Sequence, residues 1–137
     1  MKAWIGAVNA MRAALAAAGL GPGDIDYVNL HGTGTRANDA MEDSAVHQVF
    51  GHAVACSSTK GWTGHTLGAS GAIEAVIAAL CIADGLVPGC LGAAATDPEF
   101  RSAVARDNLR VPGLRRVLSN SFGFGGSNCA LLIGGPA

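Results

Sequence analysis

The sequence predicts an α/β layered domain, and three observations carry that reading. Half of the 137 residues are apolar and only 14% are charged, with 20 glycines. This composition suits a buried α/β layer with tight turns rather than a solvated or disordered chain. Hydrophobic periodicity runs helix, strand, helix, strand, helix and then two strands, the order of a layered α/β domain. One of those helices is apolar on every side, as centrally buried helices are. At this length a single core is expected.

The first helix spans residues 4–18, because Trp4, Val8, Met11 and Leu15 recur at helical spacing and Gly19 or Gly21 ends it. One early lysine and an alanine-rich run imitate a signal peptide, but Arg12 interrupts the apolar stretch, so the segment reads as an amphipathic helix. Residues 21–24, Gly-Pro-Gly-Asp, form a turn, and residues 27–30 form a buried strand that ends at His31. A second helix covers 39–50, stopped by Gly51, and 54–58 is a short strand. The third helix runs from about 64 to 83. Ile73, Val76, Ile77 and Leu80 make one stripe, while Ala72, Ala75, Ala78 and Ala79 allow close approach on the other sides. Its apolar run over 69–83 is too short for a membrane span and contains Glu74. Residues 85–112 are mostly loop, and 117–120 and 128–133 are the last two strands.

A net charge of −1 gives no reason to expect nucleic acid or an anionic membrane as partner, though a local basic patch for an acidic carrier is compatible with it. Cys56, Cys81, Cys90 and Cys129 form no C-x-x-C pair. Neither a zinc knuckle nor a disulfide framework is expected, and a reducing cytoplasm is the expected setting. His47 and His52 flank a helix end without a converging carboxylate or cysteine pattern, so no metal site is expected there.

Three segments gather polar groups at element ends, where α/β proteins build sites. In His31-Gly32-Thr33-Gly34-Thr35, an imidazole follows a strand beside exposed amides and hydroxyls; a plain turn is the alternative. In Thr59-Lys60-Gly61-Trp62-Thr63-Gly64-His65, the histidine opens the apolar helix, where a neutral ring can donate an N–H to a carbonyl. Lys60 could place a cation nearby; otherwise it is a solvated lysine. In residues 120–128, NSFGFGGSN, a glycine loop between two strands can present backbone N–H groups while a phenylalanine covers a pocket. This loop lacks the G-x-G-x-x-G spacing of a dinucleotide fingerprint and leads into a strand.

Taken together and in this order, DIDYVNLHGTGT, SSTKGWTGHTLGASGAIEA and SNSFGFGGSNCALLIG, with Asp39 and Glu42 between the first two, closely resemble the β-ketoacyl-acyl-carrier-protein synthases and polyketide ketosynthases of the thiolase superfamily. The resemblance covers nearly the whole chain and implies the C-terminal half of a thiolase-like αβαβα layered fold. By motif, His31 and His65 correspond to the two active-site histidines that bind the malonyl thioester carbonyl and promote decarboxylation. Lys60 corresponds to the active-site lysine, and Glu74 to a buried supporting glutamate. Thr33 and Thr35 correspond to the hydroxyls that hold the phosphopantetheine arm. Phe124 corresponds to a gating phenylalanine whose N–H joins an oxyanion hole, with Gly125 and Gly126 beside it on the substrate.

The resemblance further implies decarboxylative Claisen condensation with an acyl carrier protein as partner, a homodimer or a ketosynthase/partner-subunit pair, and no cofactor beyond the carrier's phosphopantetheine. Residues 1–137 would supply an incomplete domain, with the N-terminal half and the opening strand absent. The family's nucleophilic cysteine lies in that half. Ala55-Cys56-Ser57-Ser58 imitates its surroundings but runs straight into TKGWTGH, so Cys56, like Cys129, is expected to be a buried structural group. The chain alone is therefore expected to lack condensation activity and to expose a large apolar surface on its third helix. A truncated or wrongly delimited gene product, or a piece of a longer chain, is the expectation, to be tested by looking for an in-frame cysteine motif upstream of Met1. A chain-length-factor-like partner subunit is a second reading, disfavoured because such a partner needs none of His31, Lys60 and His65. A thiolase-like coenzyme A enzyme is a third.

Overall fold

A computed structural model describes residues 4–134. Helix α1 (Ile5–Ala18) stops at Gly19, and a single 3-10 turn (Pro22–Asp24) leads to β1 (Tyr27–Asn29). Helix α2 (Arg36–Phe50) follows, then β2 (Ala55–Ser57), the short α3 (Lys60–Thr63) and α4 (Ser70–Asp84), which is preceded by a 3-10 turn at Leu67–Ala69. The C-terminal part holds β3 (Leu86–Val87), β4 (Ala103–Val104), β5 (Leu109–Arg110), β6 (Arg116–Phe122) and β7 (Asn128–Gly134).

The main sheet has the order β4-β2-β1-β6-β7. Strands β1, β2, β4 and β6 are parallel, and only β7 runs antiparallel, folded back on β6. Strand periodicity divides the core. Val28, Cys56 and Leu118 lie side by side in register and face Val8, Met11 and Leu15 of α1 and Ala45 and Val46 of α2. Tyr27 and Val117 point the other way, against Ala78 and Cys81 of α4. The described residues thus form three layers, with helices on both faces of one sheet.

Several sequence expectations need correction. The segment expected to be mostly loop, 85–112, is so, and within it lie three two-residue strands, β3 to β5, too short to leave a periodic signal. Helix α2 starts three residues earlier than expected, at Arg36. The expected 64–83 helix begins only at Ser70, because Leu67 has φ 53 and breaks the approach. From Leu67 to Asp84 the stretch reaches 18 residues, long and apolar enough by length and composition to cross a membrane. In the fold that helix instead lies on β6 and β7.

Only one stripe of α4 is buried: Ser70, Glu74, Ala78 and Cys81. Its other side is open, with Val76 61% and Leu80 57% exposed, as expected for this helix. Cys56 is fully buried in the sheet, and burial drives its thiol well above the usual range. Cys129 does not match its expected burial. Alternation along β7 turns it outward beside Leu131, and it is exposed.

Candidate active site

The parallel strands deliver two loops to one end of the sheet. His31 lies two residues beyond β1, and β2 leads into α3 and then His65. The two rings meet edge to face with centroids 5.5 Å apart, and the ring of Phe122, the last residue of β6, has its centroid 5.8 Å from that of His31. A side-chain carboxylate holds the first loop. Glu42 of α2 accepts the His31 N–H and the Gly32 N–H at 2.8 Å each, and the Asn120 side-chain amide at 3.1 Å. Burial pushes the Glu42 carboxyl up to about 7 despite those donors.

Gly32 has φ +38, and a Cβ there would meet the Ser58 Cβ at 2.4 Å. Only glycine fits this close crossing of the two loops. Ser58 fastens it by donating its hydroxyl to the Gly32 carbonyl at 2.8 Å.

His31 is buried, and its ring is held down to about 4, chiefly by desolvation and then by the charges of Lys60 and His65. Its Nδ1 has no hydrogen-bond partner among the described residues. His65 is fixed differently. Its Nδ1 accepts the Leu67 N–H at 3.1 Å, with the Ser70 hydroxyl at the same distance. That places its proton on Nε2, which remains free to donate. His65 thus stands before α4 rather than on its first turn, and Ser70 links them.

Lys60 is not a solvated lysine. Its ammonium is ion-paired with Glu74, and the two side chains are 6% and 2% exposed. Burial raises the Glu74 carboxyl, an effect the lysine offsets only in part. Gly61 lets this turn pack against the following loop, since a Cβ there would lie 2.6 Å from the Leu91 carbonyl oxygen.

Thr33, Lys60 and His65 line a cavity of about 610 Å³ whose other walls include Cys90, Leu91 and Phe100. The Thr33 hydroxyl lies 2.9 Å from that of Thr35, and neither Thr35 nor His31 lines the cavity. The structure therefore gathers His31, His65, Lys60, Glu74 and Thr33. It does not bring the 124–126 turn with them. Phe124 is fully exposed, and neither it nor Gly125 or Gly126 lines the cavity. Within the described residues the loop is a hairpin turn, closed by the Gly123 N–H donating to the Ser127 carbonyl at 2.7 Å, and the phenylalanine beside His31 is Phe122.

Sequence reasoning did not assign the Glu42 clamp. A usable signal existed, because Glu42 shares an i, i+4, i+8 stripe with Val46 and Phe50, and an acid in an apolar stripe needs buried donors. The contribution of the 90–102 loop to the cavity left no pattern to read.

Residues 3–94 match the family model described as the beta-ketoacyl synthase C-terminal domain. Over 134 residues the chain is 47% identical to a mitochondrial 3-oxoacyl-(acyl-carrier-protein) synthase of Arabidopsis thaliana, covering 93% of this chain and 29% of that protein. A beta-ketoacyl synthase structure from Burkholderia phymatum STM815 matches with a TM-score of 0.90 at 35% identity, over 95% of this chain and 32% of its own. A structure of a Xenorhabdus doucetiae ketosynthase in complex with its chain length factor matches with a TM-score of 0.88 at 40% identity, over 95% of this chain and 33% of the matched one. The chain spans about a third of the length of these relatives.

Proposed function

The chain belongs to the β-ketoacyl synthase family, matching its C-terminal domain, and from that premise we propose that it serves the decarboxylation half of a carrier-protein condensing reaction. The observation that supports this reading most is the pair of imidazoles 5.5 Å apart, of which His65 lines the cavity and His31 packs against His65. A malonyl thioester held there loses carbon dioxide when its Cα–carboxyl bond breaks and the electron pair stays on Cα, giving an enolate. Two neutral N–H donors at the thioester oxygen stabilise that charge without reorganising. His65 presents Nε2–H, fixed by its backbone acceptor role. The depressed titration of His31 keeps it a neutral ring.

Lys60 and Glu74 form a buried pair whose proposed role is to hold the site's positive potential and geometry. Thr33 and Thr35 are proposed to hold the phosphopantetheine arm of an acyl carrier protein, the substrate carrier. In a complete enzyme the enolate Cα attacks the carbonyl carbon of an acyl thioester held on a cysteine. The carbon–sulfur bond breaks, the cysteine thiolate leaves, and the acyl chain is two carbons longer, in fatty acid, polyketide or polyene synthesis. Phe124, Gly125 and Gly126 are proposed to serve the acyl-transfer step there, together with a cysteine other than the buried Cys56. The Xenorhabdus ketosynthase, solved with its chain length factor, supports a pairing with a second ketosynthase-like subunit.

The test is a titration with malonyl-pantetheine followed by nitrogen NMR of the histidine rings. His31 and His65 should shift along one saturation curve, and His47 and His52 should stay still. Movement of only one of the first two rings contradicts a shared oxyanion site. On a full-length relative, faster acyl loading from carrier protein than from coenzyme A separates this reading from that of a thiolase-like enzyme.

A further inference from the structure

We propose that Asp43 is a positioning residue that sets the width of the cavity. Adjacent carboxylates on α2 hold its opposite walls. Glu42 clamps the inner one through the His31 and Gly32 amides. Asp43, itself buried, turns about 100° further round the helix and clamps the outer one: its Oδ1 accepts the Arg101 N–H at 3.0 Å and the Ser102 N–H at 2.8 Å. The Asp43 carbonyl also accepts the Ser102 hydroxyl at 3.3 Å, and the His52 Nδ1–H donates to the Arg101 carbonyl at 2.7 Å.

Those contacts fasten one end of the loop that contributes Leu91, Ala93, Thr96, Asp97 and Phe100 to the cavity. The other end is fastened at Gly89, whose carbonyl accepts the Trp62 indole N–H at 3.1 Å and whose N–H donates to Asn108 at 2.9 Å. At Cys90, next to that anchor, the N–H donates to the Ala105 carbonyl at 3.0 Å and the Sγ accepts the Ser58 N–H at 3.3 Å. From Leu91 to Phe100 the hydrogen bonds are local turns and one from the Arg106 guanidinium to the Ala94 carbonyl. With few internal ties, the loop keeps its distance from Thr33 and Lys60 through its two anchors. A carboxylate taking two amide donors is the stronger kind of anchor. Loss of Asp43 frees the outer wall and leaves the histidine wall in place.

The ligand side of this inference rests on the thioester reading above, and the experiment has two independent readouts. In Asp43→Ala, amide exchange at Arg101 and Ser102 should accelerate about 100-fold while His31 and Gly32 amides keep their protection. The Kd for malonyl-pantetheine should rise about tenfold. Asp43→Asn retains the Oδ1 acceptor and should stay within about threefold of the unsubstituted chain in both readouts. Unchanged exchange in Asp43→Ala, or an equal loss in Asp43→Asn, overturns the proposal. If the unsubstituted chain does not bind malonyl-pantetheine, the thioester reading fails, and the exchange data distinguish that from failure of the clamp.

Discussion

The two ionisable residues joined at the head of β1 respond to pH in opposite directions. His31 titrates at about 4 in the fold against 6.5 normally, so the native state binds fewer protons in that window. Its contribution to stability is present above pH 6.5 and is lost as pH falls towards 4. Glu42 titrates at about 7 against 4.5, so its contribution is full below 4.5 and is lost as pH rises through 7. Relative to the unsubstituted chain, His31→Gln should therefore add a fall in stability with rising pH, and Glu42→Gln a rise, in urea unfolding across this range. Equal slopes in both variants contradict these assignments. Lys60→Ala strands Glu74 in the core and should cost about 3–5 kcal/mol, whereas Lys60→Met combined with Glu74→Gln should cost much less. The sequence showed these residues as motif letters. It did not show that Glu42 binds the backbone of His31, because that bond spans a loop and a helix.

At the scale of elements, the crossing of the two loops is the most constrained point. Gly32→Ala places a methyl against Ser58 in a left-handed conformation and should destabilise by about 1–3 kcal/mol. Ser58→Gly in the same chain should recover part of that loss, because the contact is with the Ser58 Cβ; additive losses would contradict the close contact. Several elements were legible: α1, with Val8, Met11 and Leu15 inward, and the two strands β1 and β2, though their parallel pairing was not. The start of α4 was not, because Thr66 and Leu67 look helical while the backbone at Leu67 has positive φ. Nor were β3 to β5, whose two residues each are paired by tertiary context rather than by propensity.

At the scale of the molecule, the sheet carries helices on both faces, but only the α1 and α2 side closes fully over its apolar residues. Val76 and Leu80 leave an open apolar face on α4, so the chain should self-associate with rising concentration. Val76→Lys with Leu80→Lys should shift sedimentation toward the monomer, and an unchanged distribution would place the contact elsewhere. An all-round apolar helix was readable from composition, but which side the described residues cover depends on how α4 lies on β6. The central claim is that His31 and His65 together stabilise an enolate without help from Cys56. The direct measurement is release of labelled carbon dioxide from the free carboxyl of malonyl-pantetheine. His31→Ala and His65→Ala should each slow release about 100-fold, the loss expected for one oxyanion donor, with Cys56→Ala unchanged. Release that ignores either histidine, or that stops in Cys56→Ala, contradicts the account.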